Sequence, residues 1–185
     1  MNTNKIVKIS CLLKWCALLF CCALPLLEAG FWITNGYPFF SPLFAYHETL
    51  WGMGEHAITW AKINDVQKLL GFLIDLFPMA FSMAALYYLS QVFAAFQRKE
   101  LFEKSNVQIL KKAGWALVWG QISYPLHSAL LSLAMTYRNP VGERQVSIGF
   151  GSDQCKVLAI GLSILLISWI FEEAVRLYEE QEGTV

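Results

Sequence analysis

The chain has 185 residues, of which 56% are hydrophobic and only 15% are charged, whereas a soluble domain carries about 25% charged residues. Its 14 Lys and Arg residues balance its 14 Asp and Glu residues, so it has no basic field, and zinc-finger or recognition-helix spacing is also missing. This composition argues against a soluble domain, does not support direct nucleic-acid binding and favours an integral membrane protein.

Four apolar stretches define the predicted fold. They are Ile9–Leu27, Leu69–Phe93, Gly114–Met135 and Val157–Phe171. Each of the first three is long enough to cross about 30 Å of hydrocarbon at about 1.5 Å per residue. The fourth is shorter and is completed by flanking residues and by snorkelling of its charged end. The stretches predict an all-α, four-helix transmembrane bundle that forms one membrane domain over residues 1–185.

The first stretch is interpreted as an uncleaved helix. A signal peptide is the alternative, because Lys5, Lys8 and Lys14 precede an apolar core, but the exit at Pro25–Gly30 has no small-x-small cleavage site. The cysteines in this stretch and the isolated Cys155 form no CxxC pair and match no zinc or haem spacing. We interpret them as small hydrophobic residues, with a metal or redox role as the less favoured alternative.

The segment Glu28–Lys68 follows and is the largest one predicted to lie outside the bilayer. It starts with an aromatic stretch containing Pro and Gly, which breaks helices and suits the membrane interface. A helical pattern resumes at about Thr49, so we expect a loop and a short interfacial helix. Two pairs of residues in this segment contain side chains that can bind zinc, but their spacing fits no known metal-binding motif. We therefore favour the alternative that they are solvated loop residues without a metal. They are His47 with Glu48, and Glu55 with His56.

The distribution of basic residues predicts the orientation. Nine Lys and Arg residues fall on the N-terminal side, in the Arg98–Lys112 connection or in the C-terminal tail, against five in the other two connections. Positive residues favour the cytoplasmic side, so both termini are expected there. Within the Arg98–Lys112 connection, Ser105 is predicted to cap the helix that leads into the third stretch.

The third connection, at residues 137–154, is short and polar. Val146, Ile148 and Phe150 alternate with smaller residues, a strand-like period that suggests a small hairpin. After the fourth stretch, the helix is expected to continue with i,i+4 ion pairs from Arg176 to Glu172 and Glu180.

Asp75 is the strongest candidate for a functional side chain inside the membrane, because a charged group there needs a partner or a purpose. It precedes Pro78, which leaves a backbone carbonyl without its helical donor. A polar stripe in the third stretch lies at a comparable depth. The stripe comprises Gln121, Ser123, Tyr124, His127 and Ser128. We expect Asp75 and His127 to meet as a hydrogen-bonded pair that fixes the helix register; a proton or substrate relay and an absence of contact stay open.

The acidic end of the chain is a second candidate. The run Glu172–Glu182 is rich in glutamate on the side where positive residues are usual. Such a helix could project from the surface and dock a basic partner, although a solvated helix end with internal Glu–Arg pairs is the favoured alternative. The candidate docking residues are Glu172, Glu173, Arg176, Glu179 and Glu180.

Two stretches together resemble one family. Phe96–Trp115 reads FQRKELFEKSNVQILKKAGW, a basic turn, a Phe, a polar cap with Asn and a helix that enters the third stretch through a Gly. Phe171–Val185 reads FEEAVRLYEEQEGTV, with an Arg-Leu-x-Glu-Glu helix and a closing Thr-Val. Both resemble the domain of unknown function 2975 family of bacterial membrane proteins, although Lys99-Glu100 replaces the Gly-Glu frequent in the turn and Glu28–Lys68 matches no family pattern.

The resemblance implies a four-pass protein of the bacterial inner membrane. It also implies a small helix-turn-helix regulator as partner, because members are often encoded beside one, and it supplies no catalytic residue.

The residues themselves favour a non-enzymatic structural or regulatory role. The GxSxG, P-loop and dinucleotide motifs are missing, and we expect no cofactor and no metal. The alternative is a small oligomeric transporter or ion-coupled carrier that uses Asp75 and His127; a membrane enzyme is third. The lipid bilayer and a homo-oligomer are the other expected partners.

Overall fold

The computed structural model describes residues 3–35, 49–51, 58–59, 63–98 and 103–182. These residues form five α-helices and one short antiparallel strand pair, and the predicted all-α fold class is confirmed. In chain order the elements are α1 (Thr3–Ile33), β1 (Thr49–Trp51), β2 (Ile58–Thr59), α2 (Asp65–Arg98), α3 (Lys104–Ile122), α4 (Tyr124–Thr136) and α5 (Ser152–Glu182).

Three helices in the described residues are long and apolar enough to cross a membrane. They are Val7–Ile33 within α1, Asp65–Arg98, which is α2, and Ser152–Gln181 within α5. This confirms the membrane prediction. Helix α5 has 31 residues, about 46 Å at 1.5 Å per residue, so it is longer than the hydrocarbon layer requires.

The third apolar stretch is divided between two helices. Helix α3 ends at Ile122 and α4 begins at Tyr124, with Ser123 between them at φ −76° and ψ −13°. Pro125 lies in the first turn of α4, where its missing N–H costs no helical hydrogen bond. Gly114–Met135 is therefore not one continuous helix.

The structure corrects two local predictions. The interfacial helix expected from about Thr49 is wrong at the residues described there, because Thr49 pairs with Thr59 and Trp51 with Ile58 in antiparallel strands. Thr, Trp and Ile all favour strands, and this preference wins over the helical spacing. The candidate metal ligands His47, Glu48, Glu55 and His56 lie outside the described residues. Ser105 does not cap α3, which starts at Lys104; its hydroxyl donates to the Glu103 carboxylate at 3.2 Å.

The chain divides into two compact units. The first unit comprises Met1–Ala23, Ala80–Ile122 and Gly151–Val185, and the second unit comprises Leu24–Met79 and Ser123–Phe150. Helices α1 and α2 each contribute residues to both. The prediction of a single domain over residues 1–185 stays a prediction.

In the first unit, α3 packs against α5 through small residues. A Cβ atom added to Gly114 would lie 2.9 Å from Leu165 Cδ2, and one added to Gly161 would lie 3.0 Å from Leu117 Cβ. Leu165 is 1% exposed and Ala113 is fully buried. Glycine lets the two backbones approach closely, as is common in helix pairs of membrane proteins.

The same helix pair ends in two ion pairs. Lys104 pairs with Glu179, and Lys111 pairs with Glu172 at 3.0 Å. The two lysines are seven residues apart on α3, and so are the two glutamates on α5. Because the earlier lysine pairs with the later glutamate, the two helices are antiparallel. Their contact surface extends from the glycines to these charged residues. We call the four charged residues the α3–α5 ion-pair seam.

In the second unit, the core consists of Trp32, Ile63 and Met135. The start of α2 is capped reciprocally: Gln67 N–H donates to Asn64 Oδ1 at 2.8 Å, and Asn64 N–H donates to Gln67 Oε1 at 3.2 Å. Gln67 Nε2 also donates to the carbonyl of Met135 at 2.7 Å. One buried side chain thus caps α2 and satisfies a carbonyl at the end of α4.

The segment after α4 does not form the predicted hairpin. Residues 143–150 have no regular structure, and alternate backbone groups bond to three hydroxyls of α4. Thr136 Oγ1 accepts from Gln145 N–H at 3.1 Å, Ser132 Oγ from Ser147 N–H at 2.9 Å, and Ser128 Oγ from Gly149 N–H at 3.0 Å. We call this the hydroxyl ladder. It satisfies backbone groups that would be costly to leave unpaired in an apolar environment.

Candidate functional site

The centre of the candidate site is an Asp–His pair in the second unit. Asp75 Oδ1 lies 2.6 Å from His127 Nε2, and the side chains are 16% and 8% exposed. Asp75 is on α2 and His127 on the first turns of α4, which starts beyond the break at Ser123. The two side chains whose contact the sequence left open are therefore in direct contact.

Trp32 connects this pair to a second carboxyl group. Its indole Nε1–H lies 2.8 Å from Asp75 Oδ2 and 3.1 Å from Glu28 Oε1, so one donor serves two acceptors. Trp32 is 3% exposed. A Cβ atom at Gly71 would lie 2.1 Å from the ring atom Cη2, so only glycine lets the ring lie against α2.

Glu28 is a member of the site that was not among the residues predicted from the sequence. Its Oε1 lies 3.1 Å from Trp32 Nε1, the same donor that contacts Asp75. The available signal was its i,i+4 spacing from Trp32 near the end of an apolar helix, which places both on one face. We call Glu28, Trp32, Asp75 and His127 the carboxyl–imidazole cluster.

Tyr124 lies beside the cluster. Its ring centroid is 5.3 Å from that of His127, with an interplanar angle of 40°. In the part of the chain that the structure describes, His127 Nδ1 is buried and has no hydrogen-bond partner. An unpaired buried polar atom costs about 1–3 kcal/mol, so this nitrogen marks a position at which an additional hydrogen-bond partner would be stabilising.

The other residues of the predicted stripe lie elsewhere. Gln121 is near the end of α3 and belongs to the first unit. Ser128 is next to His127 in sequence but lies on another face of α4, where it is part of the hydroxyl ladder. Gln121 is therefore in a different unit from the other residues of the stripe. Within α4, His127 belongs to the carboxyl–imidazole cluster and Ser128 to the hydroxyl ladder.

The candidate docking residues at the end of α5 are all paired within the first unit. Glu172 and Glu179 bond to lysines of α3 in the α3–α5 ion-pair seam. Arg176 pairs with Glu173 at 2.5 Å and with Glu180 at 3.6 Å. The predicted Arg176–Glu180 pair is present, whereas Glu172 pairs with Lys111 and not with Arg176.

The chemistry of the carboxyl–imidazole cluster is that of acids and bases. Two carboxyl groups and one imidazole can hold and exchange protons. Among the described residues, no group of three or more His, Cys, Asp or Glu side chains is arranged to hold a metal ion. A pocket of about 390 Å³ lies beside Trp32 and is lined by Leu69 and Phe72, with Asp65 and Lys68.

Comparison with known proteins identifies a family but no function. The model of a family described as "Protein of unknown function (DUF2975)" matches residues 33–185. No curated protein and no solved structure matches the chain. The matched region includes Asp75, His127 and the α3–α5 ion-pair seam, whereas Glu28 and Trp32 precede it.

Proposed function

The chain belongs to the DUF2975 family of proteins of unknown function, and we propose that it is a four-pass protein of the bacterial inner membrane with a non-enzymatic, regulatory role. Helices α1, α2 and α5 supply three passes. We assign the fourth pass to the apolar segment that α3 and α4 share. The excess of Lys and Arg at the N terminus, the α2–α3 connection and the tail then puts both termini in the cytoplasm.

Reporter fusions test this topology. Fusions after Glu103 and after Glu182 are expected to report a cytoplasmic location, and a fusion near Glu55 an extracytoplasmic one. A three-pass protein would place the two ends of the chain on opposite sides. A C-terminal fusion that reports the extracytoplasmic side would therefore reject the fourth pass.

The regulatory role is supported by the end of the α3–α5 pair. Helix α5 continues beyond its apolar part, and the α3–α5 ion-pair seam joins it to α3. We propose that this two-helix element is what a cytoplasmic partner binds, in place of the single projecting acidic helix expected from the sequence. Glu173 and Glu180 lie outside the seam, where both pair with Arg176, and we propose that a basic partner such as a small DNA-binding regulator binds at these two carboxylates.

Capture of partners from native membranes tests this role. The full chain is compared with a double variant, Glu173→Lys with Glu180→Lys, which reverses charge outside the seam and leaves the Lys104 and Lys111 pairs intact. Asp153→Lys, an exposed change in the first turn of α5, is the matched control. We expect a partner captured by the full chain and by the control to be lost from the double variant. Equal capture by all three, or no specific partner, would contradict the proposal.

The second candidate function is an ion-coupled carrier, which the buried Asp75–His127 pair favours. One member of the pair, Asp75, lies on a membrane-capable helix, and an ionisable residue in such a helix often marks an ion or substrate pathway. Flux measured in proteoliposomes would distinguish the two functions: a carrier loses flux on Asp75→Asn, whereas a regulatory protein shows none with either chain.

A further inference from the structure

We propose that Glu28, Asp75 and His127 form a proton-binding site, in which one proton is shared by the two carboxyl groups and a second is held by the imidazole. This inference concerns the site itself and goes beyond the regulatory role proposed above. It does not require that a protein partner exists.

The first argument is the convergence of two carboxyl groups on one donor. Trp32 Nε1–H has Asp75 Oδ2 at 2.8 Å and Glu28 Oε1 at 3.1 Å, so the two carboxyl oxygens that share this donor lie within about 6 Å of each other. A carboxylate cannot donate a hydrogen bond. Two ionised carboxyl groups at this separation repel each other, and the repulsion is relieved when one of them carries a proton.

The second argument is the balance of charge. Among the four members of the cluster, only His127 can carry a positive charge. With both carboxyl groups ionised and His127 protonated, the cluster carries one net negative charge. Adding one proton to the carboxyl pair makes it neutral. A net charge inside apolar helices is costly, so the neutral form with two protons is favoured.

The third argument is the free nitrogen of His127. Nε2 lies 2.6 Å from Asp75 Oδ1, whereas Nδ1 is buried without a partner among the described residues. Because Nε2 is engaged with Asp75, Nδ1 is the ring nitrogen at which a proton can be exchanged with water without breaking that contact.

The surroundings of the cluster are defined by three helices of the second unit. Helix α1 supplies Glu28, α2 supplies Asp75, and α4 supplies His127 with the ring of Tyr124 against it. Asp65 and Lys68 line the pocket of about 390 Å³ that Trp32 also lines.

Infrared titration of the full chain in detergent or lipid tests the site. At pH 7 we expect a carboxylic-acid C=O band, which Glu28→Gln abolishes because the remaining carboxyl group then pairs with His127 as a carboxylate. Asp65→Asn, an exposed carboxyl change on the same helix as Asp75, is the control and should leave the band unchanged. Circular dichroism verifies that each variant is folded.

Two results would overturn the inference. One is the absence of a carboxylic-acid band in the unmodified chain at pH 7, or a band that Glu28→Gln does not change. The other is a band that disappears at constant pH when Na⁺ is added, because the cluster would then bind a metal cation in place of the proton. These measurements do not involve a partner, so they can fail while the regulatory role stands, and the reverse also holds.

Discussion

The ion pairs between α3 and α5 in the first unit lie at the surface, whereas the Asp75–His127 pair of the second unit lies inside. Glu172 and Glu179 keep 52% and 47% of their side-chain surface exposed, while His127 keeps 8%. Exposed ion pairs are worth little because water and salt screen them. A buried pair contributes mainly through the cost of leaving one member without its partner. The same types of residue should therefore have very different effects on stability in the two units.

The largest expected effect comes from breaking the buried pair. Asp75→Asn and His127→Ala should each lower the free energy of unfolding by about 3 kcal/mol, because each leaves a buried polar group without its partner. The loss in the double variant should be smaller than the sum of the two, since the partners share one interaction. Thermal unfolding in detergent measures both quantities.

The control for this cycle is Asp65→Asn, whose side chain is fully exposed and which should unfold at the temperature of the unmodified chain. Additive losses in the Asp75–His127 double variant would show that the two side chains do not interact. The contrast between the units would then have no energetic basis.

Glycine contacts provide the next comparison. Gly71→Ala should destabilise the second unit by about 2 kcal/mol, because its Cβ would collide with the buried ring of Trp32. Gly114→Ala in the first unit should cost about 1 kcal/mol, because its Cβ would lie 2.9 Å from Leu165 Cγ and Cδ2, a less severe overlap than at Gly71. Gly71→Ala should also weaken the carboxylic-acid band, since displaced Trp32 no longer connects Glu28 to Asp75. Equal losses without a change in that band would refute the positioning role of Gly71.

The hydroxyl ladder should show a smaller and local effect. Ser132→Ala removes the acceptor of the Ser147 amide, a loss of about 1 kcal/mol, so amide exchange at Ser147 should become about fivefold faster. Ser163→Ala, which removes an exposed hydroxyl bonded within α5, is the control. Unchanged exchange at Ser147 would mean that the ladder does not hold the segment.

The α3–α5 ion-pair seam should give the smallest effect. Lys111→Ala is expected to change the free energy of unfolding by about 0.5 kcal/mol or less, because Lys111 and Glu172 are partly exposed. The effect should decrease further as salt is raised. A loss comparable with that of Asp75→Asn would erase the distinction between the two units.

The apolar stretches and the isolated charges were readable from the sequence because they depend on local composition. Three of the four stretches became helices long enough to cross a membrane, and the depth argument placed Asp75 and His127 close enough to meet. The break at Ser123 was harder to locate, since Pro125 is compatible both with a kinked helix and with a new one.

The remaining features depend on contacts between distant parts of the chain. Glu28 and Asp75 are linked only because Trp32 lies between them, 43 residues from Asp75. The lysine partner of Glu172 is on another helix, so local spacing indicated Arg176 instead. Ser128 has a polar side chain suited to either face of α4, and only the packed structure shows that it bonds to the backbone at residues 147 and 149.

The hydroxyl ladder has a geometric limit. Ser128, Ser132 and Thr136 repeat every four residues of a helix, about 6.0 Å along its axis, whereas alternate residues of an extended chain repeat every 6.6–6.8 Å, approximately. The mismatch of about 0.7 Å per step accumulates to about 1.4 Å over three bonds, which hydrogen bonds of 2.9–3.1 Å tolerate. A fourth bond would exceed that tolerance, so the repeat of the helix and the repeat of the extended chain match only over residues 145–149. An insertion within these five residues would break the alignment completely, whereas one at Val141, outside it, would leave the alignment intact.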